Sequence, residues 1–396
     1  MDKIPVRTRQ SAQWISVICT LLFAVFSISY LMLQGEAIRS VHHFMSEGKT
    51  VYSPVYGACI ITFILCVLRW GLNKMTRFRH SWWAVSCIPT FILLTIFSCI
   101  YPSVTDDSQS FVLRFYNGLG WWCLAGLMLY ILLNIVYRKF VFRKITKSGF
   151  KEMLIPNLLV MIACTYTTGF IGNNNELLHN ELSIAQCIQA NQYNQALNIG
   201  KKSLHNSHTL TALRAFALSQ TDSLGASLFN YPQSDGAQGL FFDDSKGASS
   251  SLTNTDIYTH LGGIPRKANE TPVHYLRKLC ENGGSRKTLD YYLCALLLER
   301  QLEAFVAALD TYWEEEKALP RHYQEALLIY EQRISGQQEK EYQFSSDCFE
   351  QITPHVRQCY TAFKKMQENY PQMIPQRNYT RRKYGDTYWW YYLYGE

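Results

Sequence analysis

Residues Trp14–Leu33 read WISVICTLLFAVFSISYLML, twenty residues without a single charge. As a helix this run covers about 30 Å, the thickness of a bilayer's hydrocarbon core. It is longer than the 7–15 apolar residues of a secretory signal, and Gln34-Gly35-Glu36 is a poor cleavage site. An uncleaved membrane span is the reading that follows. Working outward, four further apolar stretches lie at about 55–72, 82–101, 119–137 and 153–172. Each is long enough to cross a membrane, and basic connectors separate them. The fifth carries Pro156, Asn157, Thr165, Thr167 and Thr168, which a bundle interior tolerates when neighbours satisfy the polar groups. Arg69 stands near the end of the second, where its head can snorkel to water.

The 396-residue chain carries a net charge of +7, but its two parts differ. Residues 1–172 hold 16 lysines and arginines against 6 acidic residues, and the remainder hold 22 against 25. The basic residues of the first part cluster in alternate segments. Twelve fall before the first stretch, between the second and third, and between the fourth and fifth; three fall in the other connectors. The positive-inside rule then places the N-terminus in the cytoplasm. Five spans put residues 173–396 outside it; if the fifth stretch does not span, they stay inside. Trp14, Trp70, Trp82, Trp83, Trp121 and Trp122 sit near span ends, as interfacial anchors do.

From Asn173 the pattern becomes amphipathic. Apolar residues recur at helical spacing over Glu176–Leu204, Thr209–Gln220, Thr288–Leu298, Gln301–Trp313 and Arg321–Ser335. The string Ala190-Asn191-Gln192-Tyr193-Asn194-Gln195-Ala196-Leu197 has the small residues and tyrosine of a tetratricopeptide helix pair. Residues 173–376 are therefore expected to form tetratricopeptide-like hairpins, with a long loop at about 231–255 whose Phe241 and Phe242 tuck into the helical core. The fold class is all-α: a bundle of about five transmembrane helices at 1–172, this hairpin domain, and a basic, aromatic tail at 377–396.

The chemistry-bearing residues are sparse. There is no GxSxG, HExxH or Walker A context, no catalytic residue is assigned, and no cofactor is implied. His205 and His208 share a helical spacing but lack a third ligand, so no metal is assigned. Cys187, Cys280, Cys294, Cys348 and Cys359 form no CxxC, and an odd number leaves at least one without an intramolecular partner. Ionisable residues deep in the spans, the mark of an ion-coupled transporter, are absent. The tail stands out. Residues 378–394 combine Arg381, Arg382 and Lys383 with eight aromatics, among them Tyr388, Trp389, Trp390 and Tyr391. These rings either latch the helical stack, dock at a membrane interface, or face a partner or carbohydrate. A nucleic-acid partner conflicts with the acidic balance of this part.

The segments Ile257–Gly262, Ala318–Leu327 and Tyr384–Tyr391 resemble recurrent strings of an uncharacterised membrane-protein family of Bacteroidetes bacteria. The resemblance implies several N-terminal spans and a tetratricopeptide-like tail. It also implies a Gram-negative inner membrane, with the C-terminal domain in the periplasm. It brings no activity. Gly262-Gly263 and Pro265 depart from the helix expected after His260. The expectation is a membrane-tethered interaction or scaffold protein whose partners are the lipid bilayer and a protein, peptide or envelope component. The alternative is an enzyme of envelope glycan or lipid assembly that uses Glu36, Glu47, Asp106 or Asp107 in the outer connectors.

Overall fold

The computed structural model describes residues 6–46, 49–76, 80–105, 110–115, 119–136, 150–172, 174–243, 252–267, 269–313, 318–335 and 347–395. They divide into two compact units, Met1–His179 and Asn180–Glu396.

In the first unit α1 (Val6–Leu33), α2 (Gly35–Met45) and α3 (Pro54–Thr76) precede a 3₁₀ turn at His80–Cys87 and α4 (Ile88–Ser98). A hairpin of β1 (Ile100–Thr105) and β2 (Ser110–Phe115), antiparallel with Ile100 opposite Phe115, leads to α5 (Leu119–Val136) and α6 (Phe150–Ile171). Among the described residues three helices are long and apolar enough to cross a membrane: Gln13–Leu33, Pro54–Lys74 and Phe150–Ile171. Trp83–Ser98 and Gly120–Val136 are shorter apolar helices. The count of about five spans is thus corrected to three of spanning length among the described residues. The stretch expected at 82–101 is broken for a local reason. Pro89 in the first turn of α4 favours a helix start there, so the chain arrives as a 3₁₀ turn and leaves extended at Ile100. The fourth stretch ends at Val136, and the residues after it lie outside the described part.

Large apolar side chains face outward on the spanning helices. Leu21, Phe63 and Leu159 are each about 60–70% exposed, an arrangement that requires a nonpolar medium. Inside, Phe23 meets Phe91 edge-to-face at 5.1 Å, and polar groups pair with one another. Ser27 and Thr62 hydroxyls are 2.9 Å apart, and Tyr30 donates to Ser98 at 2.8 Å. The Asn157 amide oxygen accepts the Ala84 N–H at 2.7 Å while its nitrogen donates to the Met153 carbonyl at 2.7 Å.

Arg69 corrects the sequence expectation. It does not snorkel but is 4% exposed. Its guanidinium donates to the Thr20 hydroxyl and reaches Cys87 Sγ at 3.6 Å, and it lies over the Trp83 ring at 5.1 Å. Nε is left without a hydrogen-bond partner. The Lys74 ammonium, by contrast, lies over the Trp70 ring near the end of α3.

The second unit is built from α7 (Glu176–Gln189), which enters from the first, and α8 (Tyr193–Ala196), α9 (His208–Gln220), α10 (Leu224–Ser227), α11 (Asn254–Leu261), α12 (Pro272–Glu281) and α13 (Arg286–Leu298). It continues through α14 (Leu302–Tyr312), α15 (Arg321–Ser335), α16 (Asp347–Glu350), α17 (Pro354–Glu368), α18 (Met373–Tyr384) and α19 (Tyr388–Tyr394). Caps written in the sequence set the ends. Ser207, Thr271, Ser285 and Thr387 each accept a backbone N–H at the start of α9, α12, α13 and α19. Thr253 and Asp256 form a capping box on α11, and Gly262 closes that helix at φ 72°, a left-handed position that glycine takes without strain. This explains the break after His260. Helices α12 to α15 pack in chain order. The amphipathic run at 176–204 is not one helix, because α7 stops at Gln189 and Gly200 adopts φ 59°. Phe241 and Phe242 are buried, as 0% and 6% exposed side chains.

The Arg69 environment generates a prediction. Among the described residues no carboxylate pairs with Arg69, and a buried guanidinium so placed contributes little to stability, since an apolar side chain of similar volume escapes the desolvation cost. Arg69→Met is expected to leave the thermal midpoint of the full chain in detergent unchanged or raised. A fall of more than about 5 °C, roughly 2 kcal/mol or more for a chain this long, would show that the Thr20 and Trp83 contacts outweigh desolvation.

Candidate functional site

The C-terminal segment is where the second unit gathers its unusual chemistry. Thr387 accepts the Trp390 N–H and starts α19. Five of its seven side chains then enter the core: Tyr388, Trp389, Trp390, Tyr391 and Tyr394 are all at most 8% exposed. Trp389 packs on Tyr360 and Phe363, and Phe229 touches both Tyr388 and Tyr391 at about 5 Å between ring centres. The last carbonyls of a helix lack intrahelical donors, and the tail serves those of α13. Tyr388 donates to the Leu297 carbonyl at 3.2 Å and Tyr391 to that of Leu298 at 2.9 Å. Burial pushes the Tyr391 phenol up to about 12, so it remains a donor at any ordinary pH.

The anchor of this segment is Glu325 on α15, 0% exposed. One carboxylate oxygen accepts from Arg321 Nε at 2.8 Å; the other accepts from His322 Nδ1 at 2.9 Å and the Tyr388 backbone N–H at 2.6 Å. Arg321 also holds Asp386 at 3.1 Å. The aromatic residues expected as an interaction or membrane-docking face therefore lie inside the unit: rings this enclosed have no area left for a bilayer. Arg381 and Arg382 remain at the surface region of α18, with Arg381 over the Trp390 ring at 5.4 Å.

Beside the latch is a cleft of about 230 Å³. Lys201 and Lys202 line one part of it, and Arg381, Arg382 and Lys383 another; Tyr231, Trp390 and Tyr391 contribute its aromatic surface. Five cations from positions 180 residues apart thus share one small space. One carboxylate, Asp386, lines it too and is already bound by Arg321. Behind Tyr231 lies a further cation, Arg214, 2% exposed and stacked over that ring at 4.6 Å. It donates to the Gly200 carbonyl at 3.0 Å, which fixes the turn that presents Lys201 and Lys202. Its Nε and Nη1 have no partner, and burial lowers its pKa to about 10. The indole N–H of Trp390 is likewise unpartnered.

The sequence identified Arg381, Arg382, Trp390 and Tyr391, and the structure brings these four to the cleft; Tyr388 and Trp389 support it from within. Lys201, Lys202 and Arg214 were missed. The available signal was Gly200, a helix stop, followed by two lysines where the apolar spacing fails.

Other candidates resolve into structure. Ser219 Oγ lies 2.8 Å from His260 Nε2, the spacing of a nucleophile and base. However, Gln220 Nε2 donates to His260 Nδ1 at 3.1 Å, which leaves Nε2 carrying the proton and donating to the serine. Among the described residues no carboxylate is hydrogen-bonded to the ring, Ser219 is 2% exposed, and burial with nearby Lys287, only partly offset by Asp222, lowers the imidazole to about 4. A base must accept the serine proton, so this pair is a core hydrogen bond. Cys187, Cys280, Cys294 and Cys359 form no disulfide among the described residues; the side chain of Cys348 lies outside them. Among the described residues no group of three His, Cys, Asp or Glu could hold a metal. Glu36 is paired with Arg39 at 3.3 Å, and Glu47, Asp106 and Asp107 lie outside the described residues.

A protein-family comparison matches residues 5–269 and 266–395 to DUF6057, a family of unknown function. The chain belongs to that family. DUF6057 brings no activity or site assignment with it, so the cleft stands on its own geometry. No curated protein and no solved structure matches.

The Glu325 contacts predict the energetics of the latch. Glu325→Ala leaves the enclosed Tyr388 N–H and His322 Nδ1–H without acceptors, at about 1–3 kcal/mol each. Arg321 is 42% exposed and regains water, so it adds little. A loss of about 3 kcal/mol is expected in denaturant unfolding of the second unit, followed by its buried tryptophans. An unchanged midpoint would show that the aromatic packing alone holds the tail.

Proposed function

We propose that this DUF6057 chain is a membrane-tethered binding protein whose second unit captures an anionic ligand in the Lys201–Arg382 cleft. The observation that carries this reading is the convergence of two basic segments on one small space. Like charges at close range repel, and the fold gains nothing from collecting them. Three cations on the last turn of α18 suit the helix dipole. That does not account for Lys201 and Lys202, which come from a turn held by Arg214. An anion in the cleft accounts for both sets. The tether is supported by the three helices of spanning length.

The orientation follows from the connectors. An odd number of crossings places the two ends of the chain on opposite faces, and three gives the same parity as five. The basic residues before the first span and between α3 and α6 favour a cytoplasmic N-terminus. In this reading the tetratricopeptide-like second unit is presented outside the cytoplasm, in the periplasm of a Gram-negative cell, as an interaction domain. An enzymatic reading has no comparable observation behind it.

Two experiments test the proposal. Alkaline phosphatase fused after Glu396 is expected to be active; an inactive phosphatase with a fluorescent cytoplasmic reporter at the same site would overturn the orientation. For the cleft, millimolar multivalent anions such as pyrophosphate or citrate are expected to raise the thermal midpoint of the full chain at low salt. The charge reversals Lys201→Glu and Arg382→Glu together are expected to abolish that rise. A rise that is equal in the reversed variant would place the anion elsewhere and refute the reading.

A further inference from the structure

We propose that the ligand group held in this cleft is a phosphate, recognised as a dianionic phosphoryl group on a small molecule or lipid headgroup. The inference rests on the anion-binding reading above and narrows it by charge, donor geometry and size.

Charge comes first. Five cations line the cleft, and its one carboxylate is engaged by Arg321. A carboxylate ligand brings one negative charge and two acceptor oxygens. A phosphomonoester brings about −1.5 to −2 at neutral pH and three acceptor oxygens, and so satisfies more of the cations in the same volume. Arg214, enclosed behind Tyr231 with two unpartnered nitrogens, adds a fixed positive potential that a dianion would offset more fully.

Donor geometry agrees. Arg381 and Arg382 offer planar forks that match phosphate oxygens two at a time. Lys201, Lys202 and Lys383 are point charges on flexible stems that can close on the remaining oxygens. Among the described residues none of Lys201, Lys202 or Arg382 has an acidic side chain within ion-pair distance, so binding breaks no ion pair there. Tyr231, Trp390 and Tyr391, largely enclosed, contribute only their edges to the cleft wall beside the cations.

Size sets the limit. Pockets for whole drug-sized ligands or cofactors run to about 300–1,000 Å³, and this cleft is about 230 Å³. It accommodates a phosphate with a short polar body, not a dinucleotide. That chemistry occurs both in soluble phosphorylated metabolites and in the headgroup of an anionic phospholipid such as phosphatidic acid. Capture of either requires the same cations.

The test uses the full chain in an uncharged detergent, titrated calorimetrically at low salt with inorganic phosphate, pyrophosphate, glycerol phosphate and citrate. The phosphate compounds are expected to bind, glycerol phosphate at least as tightly as inorganic phosphate and pyrophosphate more tightly than citrate. Lys201→Gln with Arg382→Gln is expected to weaken them at least tenfold. Both side chains are exposed, and an unchanged circular dichroism melt of the variant shows that the loss is not unfolding. Citrate binding as tightly as pyrophosphate would overturn the phosphate assignment and leave the anion reading standing; no binding of any anion would overturn both. Nanodiscs with and without phosphatidic acid then separate the sources. Loss of pyrophosphate binding in the lipid-loaded discs supports a headgroup ligand, and undiminished binding supports a soluble one. Equal phosphate binding by the glutamine variant would refute the site.

Discussion

The enclosed carboxylate of Glu325 is the constraint on which the second unit depends. A buried charge is tolerable when charge-assisted hydrogen bonds fill its acceptor sites. Glu325 has three such bonds, from a guanidinium, an imidazole and a backbone N–H. Two of the donors are within four residues on its own helix. The third, at Tyr388, comes from 63 residues later, so the local pair becomes a long-range lock only when the tail arrives. The donor is also the first residue of α19. Its position fixes the rotation of that helix, and hence which rings face Phe229 and which face Phe363. The tyrosine hydroxyls then close the end of α13. One carboxylate thus orients a seven-residue helix that is too short to be stable alone.

The first unit solves a related problem differently. Its outward surface is apolar, so hydrophobic burial between helices gives little once hydrocarbon surrounds them. The interior contacts are accordingly small and polar: Ser27 with Thr62, Tyr30 with Ser98, Asn157 with the Ala84 amide. Pro156 removes one donor from the helix ladder, and the Asn157 side chain next to it bonds the Met153 carbonyl and the Ala84 amide. Arg69 is the exception in this interior. It is held by a hydroxyl, a thiol and an aromatic face instead of an acid.

What could be read in the sequence follows from how local each cause is. Charge-free runs and basic connectors are properties of consecutive residues, and the three spanning helices were legible from them. Caps such as Ser207 and Ser285, and the stop at Gly262, are local too. The third apolar stretch misled because hydropathy counts Pro89 and the residues after Ser98 without regard to backbone geometry. Arg69 misled because its distance from a helix end says nothing of which face it occupies. The tail was conspicuous, but its two constituents have opposite fates. The rings are buried by partners on α13, α15 and α17, and the basic residues are left at the cleft. The other half of the cleft was illegible, because nothing local links Lys201 to Arg381 across 180 residues.

That separation has a physical consequence. The cleft exists only when the tail is latched, since Arg381, Arg382, Trp390 and Tyr391 reach it through α18 and α19. Bringing five cations together opposes latching, while Glu325 and the buried rings favour it. An anion removes the opposing term and binds only the latched form, so it stabilises that form by mass action. In the proposed reading, ligand capture and closure of the C-terminal segment form one linked equilibrium, and the Arg321–Asp386 ion pair joins α15 to the turn just before α19. A site built this way is most responsive when the latch is strong enough to form without ligand but not so strong that repulsion in the empty cleft becomes negligible.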